Sequence, residues 1–341
     1  MGKRIFFSLS ILVSLGWAWA GYMSKGQPLP RVIVITDLNQ TENATGDKQS
    51  LAHLFMYADM IEIAGIIPAN WEGDGYNATI ETWKAYKADY NNPAFRFRQK
   101  GYPEPDLLKT KIAASSNDAL ATIINEANKK DKRPLYILAW GNMNPVTAAF
   151  KKDPSIAENV RLISVGTNLA SPKDAQCIDN GIYGKCRNEL FNNTKFTNTW
   201  WIEIDWSYNG MLVGNEPKEI LNKVSRYGAL GKYTREVAEQ NNSNEYFRAG
   251  KTPSLLYLLD PYNNVDDPTR GSWAGKFTKP FPKERPNYYA GTNGGHLWNY
   301  KEPCATWANA EKVYNAQVKT VLDRRPQVYN EWIKKLNEVY N

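Results

Sequence analysis

Residues 31–37 read Arg31-Val32-Ile33-Val34-Ile35-Thr36-Asp37, a near-continuous β-branched run that ends in a carboxylate. Such a run suits a strand buried on both faces, because helices on both sides of a parallel sheet leave no polar alternation. Outward from it, Leu51, Leu54, Phe55 and Ala58 recur at helical spacing after a polar loop. Ile63–Ile67 reads as a second strand, Thr79–Tyr90 and Asn117–Lys130 as helices, and Pro134–Trp140 as a third strand. A short helix starts near Pro145, Val160–Val165 is a fourth strand, and Trp200–Ile204 is a candidate fifth. Strands alternating with helices predict an α/β fold with a mostly parallel central sheet and helices on both faces. Pro217–Val224 and Ser254–Leu259 read as further helices, 260–307 as mostly loops and Ala308–Tyr340 as helical. With no repeat and no linker, the expectation is one domain over residues 21–341, loop-rich from about residue 260.

Ahead of this domain, residues 1–20 carry Lys3 and Arg4, an apolar run from Ile5 to Trp17, and Ala18-Trp19-Ala20. A positive start, a short apolar core and an A-x-A site predict a cleaved secretory signal, too short for a stable membrane anchor. The protein is therefore expected to be secreted or periplasmic. Cys177 and Cys186 bracket a short loop that a disulfide would close in an oxidising compartment, with Cys304 left over. The formal charge of +7 invites a nucleic-acid reading. Its basic residues are scattered over predicted helix faces, where solvation explains them, so no nucleic-acid partner is expected. The 12 Trp and 20 Tyr point instead to sugar or base rings, on which such side chains stack. Trp71, Trp140, Trp200 and Trp201 are the candidate platforms.

In open parallel sheets, ligands bind outside the carboxyl ends of the strands, where loops and helix N-termini converge. Strand one ends at Asp37 and Asn39, with Asp47 ahead of the next helix. Strand two ends near Asn70, Trp71 and Glu72, strand three at Gly141, Asn142 and Asn144, and strand four at Gly166 and Asn168. The candidate fifth strand supplies Glu203 and Asp205, and a Gly294-Gly295-His296 loop could cover the pocket and protonate a leaving base. An oxygen-rich rim of this kind suits a hard cation or a polyhydroxylated ligand. His53, on the first helix, is expected to pack in the core.

These segments in this order resemble the nucleoside hydrolases and, more closely, their secreted relatives sometimes labelled cellulose-binding. The resemblance is carried by Val32–Asp37, Gly46-Asp47-Lys48-Gln49-Ser50-Leu51, Ile63-Ala64-Gly65-Ile66, Tyr136–Gly141, Lys251–Leu259 and Gly271–Gly275. It implies a ribohydrolase-type fold with a calcium ion at the mouth of the first strand. Asp37 matches the strand-end aspartate and Asp47 the second of a pair of aspartates; with Asn39 they are the implied ligands. In such a site the ion grips sugar hydroxyls and a water, and an aspartate deprotonates that water for attack at the anomeric carbon. Three positions depart from the family pattern. Gly46 stands where the first paired aspartate is expected, and Ile35 where an aspartate leads the strand-end motif. Lys251 stands where relatives carry an acidic residue, and an ammonium there would oppose a divalent cation or replace it electrostatically.

Two functions follow. The first is an exported hydrolase that cleaves an N-glycosidic or related sugar bond, with Asp37 and Asp47 activating water. The second is a non-catalytic carbohydrate- or nucleoside-binding protein with a degenerate metal site. Both take a small sugar or nucleoside-like ligand.

Overall fold

The computed structural model describes residues 28–38, 45–71, 74–166, 182–204, 206–240, 246–296 and 309–341. The secretory signal, Cys177, Cys304, Asn39, Asn168 and Asp205 lie outside them. Among the described residues, no helix is long and apolar enough to cross a membrane.

The elements run Arg31–Thr36 (β1), Thr45–Met56 (α1), Glu62–Pro68 (β2), Gly75–Asn91 (α2), Pro105–Lys109 (α3), Ser116–Ala127 (α4) and Leu135–Trp140 (β3). Asn144–Lys152 (α5), Val160–Val165 (β4), Ile182–Asn192 (α6), Trp200–Ile204 (β5), Glu216–Val224 (α7) and Gly228–Glu239 (α8) follow. Thr252–Leu259 (α9), Phe277–Thr278 (β6), Tyr288–Gly291 (β7), Ala310–Leu322 (α10) and Arg325–Tyr340 (α11) are the last of the described elements. The strands form one seven-stranded sheet in the order β2-β1-β3-β4-β5-β7-β6. Every pairing is parallel except that of β6 with β7. The predicted α/β sheet with helices on both faces is what the chain forms.

Alternate side chains of the strands feed two cores. Val32, Val34 and Leu138 join α1, α2, α7, α8, α9 and α11 on one face, while Ile33, Ile35 and Ile137 join α4, α5 and α6 on the other. The apolar run Val32–Ile35 of β1 is thereby explained, since all six residues of the strand are buried, with Arg31 paired to Glu126 at one end.

Three sequence readings change. The stretch read as mostly loops contains β6 and β7, too short to show a period but able to extend the sheet because β7 pairs with β5. The helical stretch at the C-terminus is two helices, with Pro326 in the first turn of α11, the position a residue lacking an N–H tolerates. The helix α8 was hidden by Gly228 and Gly231; a Cβ on Gly231 would lie 2.2 Å from the Val224 carbonyl oxygen. Its N-terminus is capped from afar: the buried Asp89 of α2 accepts from the amides of Ala229 and Leu230 (2.9 Å) and from the Tyr340 hydroxyl (2.6 Å).

Candidate functional site at the carboxyl ends of the central strands

Because β1 is flanked by β2 and β3, the residues leaving these strands and β4 share one edge of the sheet. Asp37, half-buried, leaves β1 with its carboxyl pressed against Gly141, the residue after β3. A Cβ on Gly141 would stand 2.4 Å from Asp37 Oδ2, and its φ of +83° also favours glycine, so this position makes room for the carboxyl.

Asp47 lies in the first turn of α1, and its carboxyl hydrogen-bonds that of Asp37 and accepts from Thr36 Oγ1 at 3.4 Å. Desolvation raises its pKa to about 8, with Lys251 opposing the rise and Asp37 adding to it. Two carboxyls in hydrogen-bond contact require a proton between them, so near neutrality the pair carries about one negative charge.

Lys251 immediately precedes α9 and reaches across to Gly166, beyond β4. A Cβ on Gly166 would come within 2.7 Å of its Nζ, and Gly166 has φ +66°. The lysine backbone is held from two sides. Its N–H donates to Ser50 Oγ of α1 at 3.3 Å, and Ser50 in turn donates to the Gly46 carbonyl at 2.7 Å. Its carbonyl accepts from Ser254 Oγ at 2.8 Å, and that hydroxyl accepts from Trp140 Nε1 at 2.8 Å. The aspartate pair and the ammonium thus sit on β1, α1 and α9, tied together through the end of β3. Ser50 and Ser254 escape sequence reasoning because single serines in helices carry no signal. A glycine directly after each of two parallel strands is the signal for the space at 141 and 166.

Among the described residues, the ligand set falls short of what the implied calcium ion needs, and the third implied ligand, Asn39, lies outside them. Calcium takes six to eight oxygen ligands. Among the described residues, no group of three or more His, Cys, Asp or Glu converges on a common point. The two carboxyls at the mouth hydrogen-bond each other, burial keeps Asp47 protonated near neutrality, and Lys251 contributes a positive charge nearby. Position 46 cannot supply the third carboxylate without backbone movement, because a Cβ there would lie 2.8 Å from the Arg248 carbonyl oxygen.

The other expected ligand contacts divide. Asn70 and Trp71 are half-buried at the exit of β2, beside Asp37, where Ala69 N donates to Thr36 O at 2.7 Å. Asn144 is exposed at the start of α5. Asn142 is a structural pin: its amide donates to Ala69 O at 3.4 Å and accepts from Asn144 N at 2.9 Å. Glu203 is corrected. It precedes the last residue of β5, is 1% exposed, and is engaged by Arg187 Nε at 2.8 Å, by Arg187 Nη2 and by the Tyr288 hydroxyl. A sugar hydroxyl has no access to it. His296 lies in the turn after β7, a strand four places along the sheet from β1.

Three of the four candidate Trp platforms are also corrected. Trp140 and Trp201 are core, each with its indole N–H donated to a buried serine (Ser254 and Ser164, both 2.8 Å). Trp200 starts β5 at the opposite edge of the sheet, packed among Tyr136, Tyr257, Tyr289 and Arg161. Only Trp71 stands at the mouth. His53 packs as expected, against Tyr57, Phe247 and Trp332, with burial lowering its pKa to about 3.

Among solved structures, the chain is similar to a nucleoside hydrolase-related protein from Saccharophagus degradans associated with carbohydrate metabolism. They share 17% identity over 92% of this chain and 73% of that one, with a TM-score of 0.60. An inosine-guanosine nucleoside hydrolase aligns at 11% identity over 92% of this chain and 99% of that one, TM-score 0.49. An inosine-uridine preferring nucleoside hydrolase from Bacillus anthracis aligns at 13% over 86% and 99%, TM-score 0.47. At these identities the likeness is one of fold. No curated protein matches the sequence. The sequence pattern of the family described as cellulose-binding Sde182, nucleoside hydrolase-like domain, matches residues 31–277, well over half of the chain, and this protein belongs to that family.

Proposed function

We propose that this protein binds a neutral carbohydrate at the mouth formed by the exits of β1, β2, β3 and β4, without metal-assisted cleavage. The observation that carries the reading is the ammonium of Lys251 facing the Asp37–Asp47 pair. Together these groups are close to neutral, and they offer donors and acceptors in the mix that sugar hydroxyls require. Trp71 adds a flat apolar face beside them. The family's description as cellulose-binding agrees with this ligand class.

Cleavage fits less well. Two-carboxylate glycoside hydrolysis places its carboxyls about 5 to 9.5 Å apart, on either side of the scissile bond. Here the two carboxyls bond to each other. One observation favours the hydrolase as a second reading: a carboxyl that holds its proton to about 8 is poised as a general acid at neutral pH. For either reading we infer export, with residues 1–20 removed, because the ligand is then an extracellular or periplasmic sugar.

Calorimetric titration with cello-oligosaccharides and with nucleosides, in chelator and in calcium, tests the proposal. The expected result is saturable sugar binding in chelator, unchanged by calcium, with no release of sugar from nucleosides. Calcium-dependent nucleoside cleavage would establish the hydrolase instead.

A further inference from the structure

We infer that Lys251 is a tethered resident cation of this mouth, and that its ammonium is what closes the site to divalent ions. The inference rests on reading the mouth as the ligand site, but its test uses no sugar.

A lysine on a mobile surface stem would be a poor substitute for a bound ion, because it could swing away. This one is delivered by rigid elements. Its N–H is fixed by Ser50, on the same helix as Asp47, and its carbonyl by Ser254, which is anchored to Trp140 of β3. Any thermal displacement of α9 relative to α1 or β3 must break one of these bonds. The side chain also has a made channel: Gly166 leaves open the place that a Cβ would take, 2.7 Å from Nζ.

The electrostatics run the same way. The Asp37 and Asp47 carboxyls are in hydrogen-bond contact, so a cation beside them offsets the negative charge gathered there. A diffusible divalent ion would meet an ammonium already beside the pair, because Gly166, against Nζ, and Gly141, against the Asp37 carboxyl, follow the paired residues Val165 and Trp140, and like charges repel where water is partly excluded. The tethered charge has infinite residence time, so ligand affinity should not vary with divalent-ion supply. Occupation of the place by a side chain also removes the open coordination positions at which an ion would hold a water.

The test is calorimetric titration of the full chain with calcium chloride, in the absence of sugar, for wild type, Lys251→Asp, Lys251→Gln and Lys251→Asp/Asp37→Asn. Wild type is expected to show no saturable binding in the millimolar range. Lys251→Asp should bind at least ~10-fold more tightly than wild type, since the substitution reverses the charge beside the aspartates. Lys251→Gln, which removes the charge but keeps a polar side chain one atom shorter, should bind more weakly than Lys251→Asp but better than wild type. The double variant should lose the gain. Thermal melts verify that each variant folds, and Lys251→Gln keeps the test decisive where Lys251→Asp does not. Wild type binding calcium as tightly as the charge-reversed variant would overturn the inference. So would a failure of both single variants to exceed wild type, or retention of the gain without Asp37. A failure to bind sugar would leave these titrations unaffected and would count against the proposed ligand alone.

Discussion

The reassignment of Glu203 from a ligand contact to a structural partner makes a quantitative prediction. Arg187 and Glu203 have side chains 0% and 1% exposed, joined through two nitrogen–oxygen contacts, and Tyr288 donates to the same carboxylate. The guanidinium also lies over Phe191, 4.3 Å from the ring centroid. Replacing Arg187 with Met removes every donor on the charged partner and leaves a carboxylate in an apolar layer among Phe191, Trp201 and Tyr288. Breaking such a buried pair costs about 3–5 kcal/mol. With an unfolding entropy of about 2.1 cal/mol/K per residue, a chain of this length should lose roughly 4–7 °C in Tm. The double variant Arg187→Met/Glu203→Leu should recover most of the loss, because an apolar pair of similar volume has no charge to desolvate. Urea denaturation of wild type, both single variants and the double variant gives the coupling energy directly. A loss below about 1 kcal/mol for Arg187→Met would refute the buried-pair reasoning. Glu203→Gln should leave sugar affinity unchanged, and a large loss of affinity without loss of stability would return Glu203 to the ligand site.

Acid stability should depend on His53. Burial holds this ring neutral down to about pH 3, whereas an unfolded histidine protonates near 6.5. Its contribution is therefore fully present above about pH 6.5 and lost as pH falls towards 3, amounting to on the order of 3 kcal/mol between pH 7 and pH 4. Urea midpoints across that range should fall more steeply for wild type than for His53→Asn, and parallel profiles would count against it. Asp89→Ala should cost about 2–3 kcal/mol in urea denaturation, since it removes the cap of α8 and strands the buried Tyr340 hydroxyl. Gly46→Asp should destabilise by about 1–3 kcal/mol through its clash with the Arg248 carbonyl, and should not create calcium binding while Lys251 remains. Calcium binding by that variant would show that the loop yields despite the backbone contact and that Lys251 does not close the site to divalent ions.

What could be read from the sequence follows from how locally each feature is encoded. The strand at 31–36 is legible because burial on both faces demands an unbroken apolar run, and Asp37 because chain direction alone places a strand-end residue at the ligand edge. Asp47 is visible as a match to a family pattern, and the ammonium at 251 and the glycine at 46 as departures from it. Their consequence is not: that Gly46 is closed by the Arg248 carbonyl depends on a contact between residues some 200 apart. Glu203 shows the same limit from the other side. The strand-end rule gathers every polar residue near the close of β5, yet alternation turns Glu203 towards the layer of Trp201, where Arg187 of α6 meets it. The tryptophan count misled for a related reason, since a wide sheet layer consumes large rings such as Trp140 and Trp201, and composition does not distinguish a ring facing a helix from one facing a sugar. A nucleoside-hydrolase-like sheet can therefore keep Asp37, Asp47 and the room around them while, as proposed, a lysine takes the place of the ion. The exchange needs no change of fold, because the lysine enters from α9, which already packs against β4 and α1. Under the function proposed above, position 251 is where this scaffold chooses between holding a sugar and holding a metal-bound water, since it sets the charge at the start of α9.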